Sequence, residues 1–500
     1  MDKRKMVQLD RMFNPRGLAF FGGISTPGAF GNLIALSQIR YGYKGSLYPV
    51  SPQGGEIAGN RIYKSLDEVN GPVDLACVSV PAKAVPEVLQ DCLVHSVTGA
   101  QVHASGFAET GKKEGIELQA EIVRIARQGL RIVGPNCFGL HSPKGGITIL
   151  PGSDFSKESG PVALISQSGG MATDFGYEAQ SAGMRLSKVI SFGNGCDVDA
   201  VELMVFMGAD SDTQYIAAYL EGVRNGGRFL EAIKQASRIK PVVVWKAGLS
   251  PLGQRAAQSH TGSLAGEMNI WKGVLAQAGA SSVQGLDEMI DALTALHYLK
   301  NPGSRIAVVG GGGAIGVFSC DLASRWGMDL PRFSDTTRRN LRRHFPTPGN
   351  SMANPLDTGS PVVPVETLKA SIREIVLNEP VDIVVVVLLA RPLEVEVRRF
   401  MEMVGVDSPP AGAYFEQLLG ELKDIKQETG KDIVVVIENR SGLQEEIDVD
   451  ATARKMRSLY QSMGFPVFTS AERALRGISH AVARARFLEN YDSRHDRDRR

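Results

Sequence analysis

Three short stretches hold the side chains best suited to chemistry. QSHTGSLAGE (258–267) places His260 among small, flexible and hydroxyl-bearing residues, with nothing apolar around it that packing would explain. YLEGV (219–223) puts Glu221 at the end of an apolar run. ISQSGGMATDFG (165–176) sets Ser166, Gln167, Ser168, Gly169 and Gly170 where a second apolar run gives way to a helical pattern. An imidazole can carry a phosphoryl group on one ring nitrogen while a carboxylate holds the other. The free N–H groups of a helix start can receive that phosphate. A carrier in a Gly- and Ser-rich loop suits a reaction with two separated half-sites. Taken singly, each stretch has a plainer reading: a surface histidine, a solvated carboxylate, an N-cap serine. A nucleophile elbow is disfavoured, because Ser166 stands where that motif needs glycine.

The elements that must position these groups are short β-branched runs alternating with helical patterns, which implies α/β architecture with parallel sheets. GLAFFG (17–22), SLYPVS (46–51), LACVSV (75–80), QVHAS (101–105) and RIVGPN (131–136) predict a Rossmann-like first domain over residues 1–150. GPVALISQSGG (160–170), LSKVISFGNG (186–195), YIAAYLEG (215–222) and PVVVWKAG (241–248) predict a flavodoxin-like domain over 151–302. RIAVVGGGG (305–313), VDIVVVVLLA (381–390), DIVVVIEN (432–439) and FPVFTS (465–470) predict a second flavodoxin-like domain over 303–490, followed by a charged tail, 491–500. The turn FFGGISTPGAFG (20–31) follows a strand and opens a helix, a geometry that attracts phosphate. It is not the G-x-G-x-x-G dinucleotide fingerprint, and no acidic residue follows the second strand, so an NAD-dependent oxidoreductase is disfavoured.

Composition narrows the class further. A formal charge of +1 over 500 residues argues against a nucleic-acid or membrane-surface protein. The five cysteines lie far apart, without metal spacing, which predicts reduced thiols and no metal site. The N-terminal MDKRKMVQLD lacks the apolar core of a signal peptide, and no apolar run reaches the ~18 residues of a membrane span, so a cytoplasmic protein is expected.

KAGLSPLGQRAAQSHTGSLAG (246–266) closely resembles the active-site segment of ADP-forming acyl-CoA synthetases, relatives of succinyl-CoA synthetase. GPNCFG (134–139), ISQSG (165–169), SFGN (191–194), YLEG and NPLD (354–357) occur in that family's order, and the resemblance runs from Asn14 to about Asn490. It implies that His260 is the phosphorylated histidine, Glu221 its carboxylate partner, and Ser166–Gly170 the helix start that receives inorganic phosphate. It implies a coenzyme A site in the first domain, with Gly23, Ser25, Thr26 and Pro27 around its phosphates and Val50, Ser51, Pro52, Val80 and Pro81 bordering the nucleotide. Gly106, Phe107, Glu109, Asn136 and Cys137 would approach the thiol end. The reaction implied interconverts acyl-CoA, ADP and phosphate with a small carboxylic acid, CoA and ATP, through acyl phosphate and a phosphohistidine. No stretch remains for an ATP-grasp module, so ADP/ATP with Mg²⁺ would sit on an ATP-grasp β subunit in an α2β2 assembly. A CoA- or acyl-CoA-sensing protein without turnover is the alternative. Departures from the family pattern are FGGIS in the first turn, Gly195 in SFGNGCD, and VVGGGGAIG (308–316), where a phosphate role is not expected. Asp357 reads equally as a turn residue or a functional one.

Overall fold

The computed structural model describes residues 2–150, 152, 154–253, 268–345, 350–406 and 410–498. They form two compact units, divided between Met289 and Ile290.

The first unit contains two sheets. In the first, β1 (Gly17–Phe21), β2 (Ser46–Val50), β5 (Leu75–Val78), β6 (Gly99–Val102) and β7 (Arg131–Val133) run parallel in the order β2-β1-β5-β6-β7, while β3 (Gly55–Ile57) and β4 (Asn60–Ile62) form a separate hairpin. All five residues of β1 are buried, as expected of a parallel strand covered on both faces. The order reverses between β1 and β5, so a crevice opens beyond their carboxyl ends. A helix over Lys3–Phe13 precedes β1, burying Leu9, Met12 and Phe13.

The second sheet comprises β8 (Gly139–His141), β9 (Val162–Ser166), β10 (Leu186–Ser191), β11 (Tyr215–Leu220), β12 (Val242–Lys246) and β13 (Ser281–Val283), ordered β13-β12-β11-β9-β10-β8. Leaving β8 aside, this is the flavodoxin-like order 2-1-3-4-5, with its switch point between β9 and β11. Strand β8 pairs antiparallel with β10, so residues 139–141, from inside the stretch expected as the first domain, belong to the second sheet. A buried ion cluster joins the same two regions. Arg131, on β7, lies 2.9 Å from Asp197 and 2.6 Å from Glu202.

The second unit is built on β14 (Ile306–Gly310), β15 (Leu356–Asp357), β16 (Ile383–Leu389), β17 (Asp432–Glu438) and β18 (Val467–Phe468), parallel and ordered β15-β14-β16-β17-β18. That is again 2-1-3-4-5. The glycine turn after β14 is tied internally: the Asp357 carboxylate accepts from the N–H groups of Gly312 (3.0 Å) and Gly359 (2.9 Å). A Cβ at Gly311 would lie 2.2 Å from the Ser360 carbonyl oxygen, so close backbone approach explains the glycine there. At the end of β15, the Asp357 carboxylate thus ties the two turns together. The segment expected as a charged tail is instead the end of a helix, Ala471–Asp498, since it contains neither Gly nor Pro to stop one.

Two histidines in the first unit give stability a pH dependence. His103 hydrogen-bonds Ser79 Oγ at 2.9 Å, and His141 hydrogen-bonds Thr148 Oγ1 at 3.1 Å between the rings of Tyr41 and Phe155. Burial drives both imidazoles down to about 3. The folded state keeps them neutral, whereas unfolded histidine takes up a proton near pH 6.5. Their contribution is therefore complete above about pH 6.5 and declines as pH falls toward 3, by roughly 1.4 kcal/mol per unit for each. Urea midpoints measured from pH 7 to pH 5 should fall, and His141→Gln should flatten that slope. A midpoint that did not change with pH would contradict this reading.

Candidate functional site

The switch point of the second sheet gathers two of the three stretches singled out in the sequence. Strand β9 ends at Ser166, and the helix Gly169–Ser181 begins three residues later, with Ser168 as N-cap accepting from Met171 N–H at 3.3 Å. The Ser166 hydroxyl is fully buried; it donates to the Ser168 carbonyl (2.7 Å) and accepts from Ser168 N–H (3.1 Å). Both bonds lie inside the turn, so this hydroxyl shapes the turn from within. Among the described residues nothing accepts from the N–H groups of Gly169 and Gly170, so these two donors are the ones the helix start can present. A Cβ at Gly170 would meet open space, whereas one at Gly169 would lie 2.5 Å from the Phe138 ring. Ser168→Ala should cost about 1 kcal/mol in thermal unfolding through loss of the cap. Gly169→Ala should lower both stability and activity, because the ring must move.

Glu221 follows β11, the strand hydrogen-bonded to β9. It is 5 % exposed, and its Oε1 accepts from the Tyr219 hydroxyl at 3.4 Å. Burial pushes the Tyr219 phenol up to about 12, so it stays protonated and donates. On the next strand, the buried Lys246 ammonium bonds the Ala247 carbonyl and lies 5.3 Å from the Trp271 ring centroid. Burial pulls this ammonium below its ordinary range, and the charge of Glu221 opposes the shift. Gln167 joins the two turns. Its Oε1 accepts from the N–H of Glu221 (2.5 Å) and of Gly222 (3.0 Å), while its own N–H donates to the Tyr219 carbonyl (3.1 Å). The third stretch, with His260, lies outside the described residues.

Beside this junction is a cavity of about 390 Å³. Its walls are apolar at Ala108, Phe192, Ala200, Val201 and Val223, and polar at Glu109, Gln119, Gln167, Asn194, Asp199 and Arg224, with Gly195 and Gly222 between. Glu109 is fixed from both sides: Oε1 accepts from Gly106 N–H (2.6 Å) and Phe107 N–H (3.1 Å), and Oε2 accepts from Asn194 Nδ2 (2.6 Å). Asn194 Nδ2 also donates to Gln119 Oε1 at 2.9 Å. Arg224 donates to the carbonyls of Asn194 (2.9 Å) and Cys196 (3.3 Å). Gln119, Asn194 and Arg224 were not singled out from the sequence. For Asn194 and Arg224 the signal was SFGN and YLEGVR at the ends of the two strands that flank β9; Gln119 had none.

The first sheet's crevice collects the remaining candidates. The turn after β1 needs glycine: Gly22 has φ 96°, and a Cβ there would lie 2.6 Å from the Ser79 backbone. The helix Phe30–Tyr41 then starts at Ala29 with no side-chain cap, so its first-turn N–H groups face the turn. Ile24 is buried and Asn32 Nδ2 donates to its carbonyl (2.8 Å), while Gly23, Ser25, Thr26 and Pro27 are exposed. Val50, Ser51 and Pro52 lie at the end of β2, and Val80 and Pro81 just beyond β5, on the rim of the same crevice. A turn stripped to glycine in front of an uncapped helix start fits a phosphate-bearing nucleotide. Asn136 has φ 57° in the turn after β7. The side chains of two residues expected near the thiol end are packed in the core. Phe107 is 0 % exposed, and Cys137 is 3 % exposed with its Sγ directed at the Val102 carbonyl (3.3 Å). Burial raises the Cys137 thiol to about 12, which leaves it inert. Among the described residues, no three His, Cys, Asp or Glu side chains converge as a metal site, and no helix is long and apolar enough to cross a membrane.

The chain resembles known proteins over most of its length. Residues 16–143 match the CoA binding domain family, and residues 159–296 match the succinyl-CoA ligase like flavodoxin domain family. The chain is 33 % identical over 487 residues to the acetate–CoA ligase [ADP-forming] I subunit alpha of Pyrococcus furiosus, covering 95 % of this chain and 97 % of that one. It is 36 % identical over 350 residues to the corresponding II subunit alpha of the same organism, covering 70 % and 76 %. Among solved structures it resembles the dinucleotide forming acetyl-coenzyme A synthetase 1 of Ca. Korarchaeum cryptofilum in complex with phosphate and ADP, with a TM-score of 0.79, 29 % identity, and 97 % and 98 % of the two chains covered.

Proposed function

The chain belongs to the family of ADP-forming acyl-CoA ligases, and we propose on that premise that it is the α subunit of such an enzyme. It interconverts acyl-CoA, phosphate and ADP with a carboxylic acid, CoA and ATP. The observation that carries the reading is the convergence, at one switch point, of a helix start with two open N–H donors and a buried carboxylate, both held by Gln167.

CoA would lie across the crevice of the first sheet, its phosphates at the turn Gly23–Pro27 and the start of the helix Phe30–Tyr41. The acyl group would occupy the cavity walled by Phe192, Val201 and Val223, whose volume of about 390 Å³ falls within the range of small-molecule pockets. Phosphate held by Gly169 and Gly170 N–H attacks the thioester carbonyl carbon, and CoA leaves as the thiol with the proton that phosphate gives up. His260 then takes the phosphoryl group from the acyl phosphate, releasing the acid, while Glu221 holds the other ring nitrogen and offsets the imidazolium charge. Such transfers depend on positioning and charge neutralisation, which helix dipoles and a fixed carboxylate provide. The nucleotide step, with ADP and Mg²⁺, belongs in this proposal to an ATP-grasp partner subunit.

Incubating the full chain with acetyl-CoA, or a panel of thioesters, and labelled phosphate tests the reading. Acid-labile, base-stable label on the protein with release of free CoA is expected. CoA binding without any label would identify a sensor instead.

A further inference from the structure

The side-chain amide of Gln167 has only one possible orientation. Two main-chain N–H groups, of Glu221 and Gly222, converge on a single amide atom, at 2.5 and 3.0 Å. Only a carbonyl oxygen can accept both, so that atom is Oε1 and the other is the NH₂ group. Among the described residues, nothing accepts a hydrogen bond from Nε2. Gln167 lines the 390 Å³ cavity, whereas Ser168, Gly169 and Gly170 do not. The residue therefore sits at the border between the helix start, with its two open donors, and the cavity, with its apolar wall. A rigid N–H donor at that border is preorganised for an oxygen that belongs to neither the phosphate nor the CoA thiol.

We propose that Gln167 is a catalytic residue rather than a phosphate ligand: its Nε2 donates to the carbonyl oxygen of the acyl group, while its Oε1 fixes the donor by clamping the Glu221 turn. This rests on the functional reading above. As a phosphate oxygen bonds to the thioester carbon, the C=O electron pair moves onto oxygen. Gln167 stabilises that oxyanion until it collapses, breaking the C–S bond and releasing CoA as thiol with the proton from phosphate. The donor acts in acyl-phosphate formation and has no part in the later transfer to His260. Removal of one preorganised oxyanion donor slows such a step by about 10²–10³-fold.

The test separates the two half-reactions in the full chain, assembled with its partner subunit. Acyl phosphate formed from acetyl-CoA and phosphate is trapped as the hydroxamate, and phosphohistidine is formed separately from labelled acetyl phosphate. Gln167→Glu keeps an acceptor for both N–H groups but loses the donor. At saturating phosphate it should slow hydroxamate formation about 10²-fold with CoA binding unchanged, while the added negative charge raises the KM for phosphate. Gln167→Met loses both functions and should slow both half-reactions. If Gln167→Glu behaves as wild type and only Gln167→Met is impaired, the residue is a clamp alone and the proposal fails. If the uncharged Gln167→Met raises the KM for phosphate and leaves hydroxamate formation at saturating phosphate unchanged, Gln167 is a phosphate ligand and the proposal fails. Wild-type protein that forms neither product from any thioester would instead overturn the functional reading itself.

Discussion

With His260 replaced by asparagine, label from phosphate and acyl-CoA should disappear from the protein, a loss of at least about 10⁴-fold, the scale on which removal of a covalent nucleophile acts. Acyl phosphate formation should persist, because in the proposed mechanism that step takes place at the helix start and the cavity and needs no imidazole. Asparagine keeps a polar side chain of similar length, so the folded state should be unaffected; a matching thermal midpoint checks this. Rapid-quench measurement of hydroxamate beside acid-labile label shows both halves at once. Label retained in His260→Asn would move the phosphoryl acceptor elsewhere. Loss of both products would deny that the two steps are separate.

The second large effect is expected from Glu221→Gln. Glutamine fills the same volume, can still accept from the Tyr219 hydroxyl, and leaves the main-chain N–H of residue 221 on the Gln167 carbonyl. What is lost is one negative charge at a site only 5 % exposed, where charge interactions are weakly screened. Phosphohistidine formation from acetyl phosphate should slow about 10²–10³-fold, while acyl phosphate formation changes little. Lys246 would then lose its neighbouring anion, so burial should pull its ammonium further below its ordinary range. A transfer rate equal to wild type would remove Glu221 from the mechanism.

Particular residues show how far the amino-acid sequence reaches. Strands such as VALIS and DIVVVIE were legible because a strand covered on both faces must be apolar along its whole length. Glycine turns pointed to helix starts because few other residues tolerate such backbone geometry. The helix Lys3–Phe13 went unassigned, although Leu9, Met12 and Phe13 carry the helical spacing, because its charged first turns mask the pattern. Strand β8 has three residues, too few for any periodicity. The cavity was out of reach for another reason. Glu109, Gln119, Asn194 and Arg224 come from three separate stretches, brought together by packing alone. SQSG marked a turn between a strand and a helix start, but could not distinguish Ser166, which shapes the turn from within, from Gln167, which bridges to a neighbouring strand. Phe107 and Cys137 sit in motifs with a ligand-facing look, and only burial shows that they are core.

Strand β8 limits how the protein can be taken apart. The ribbon that leaves the first sheet supplies the outermost rung of the second before the latter's own first strand begins. A chimera joined near residue 150 would import a foreign rung, whereas one joined ahead of Gly139 would keep the recipient's edge intact. Grafting between relatives, or truncation for separate expression, should therefore succeed only with the earlier junction.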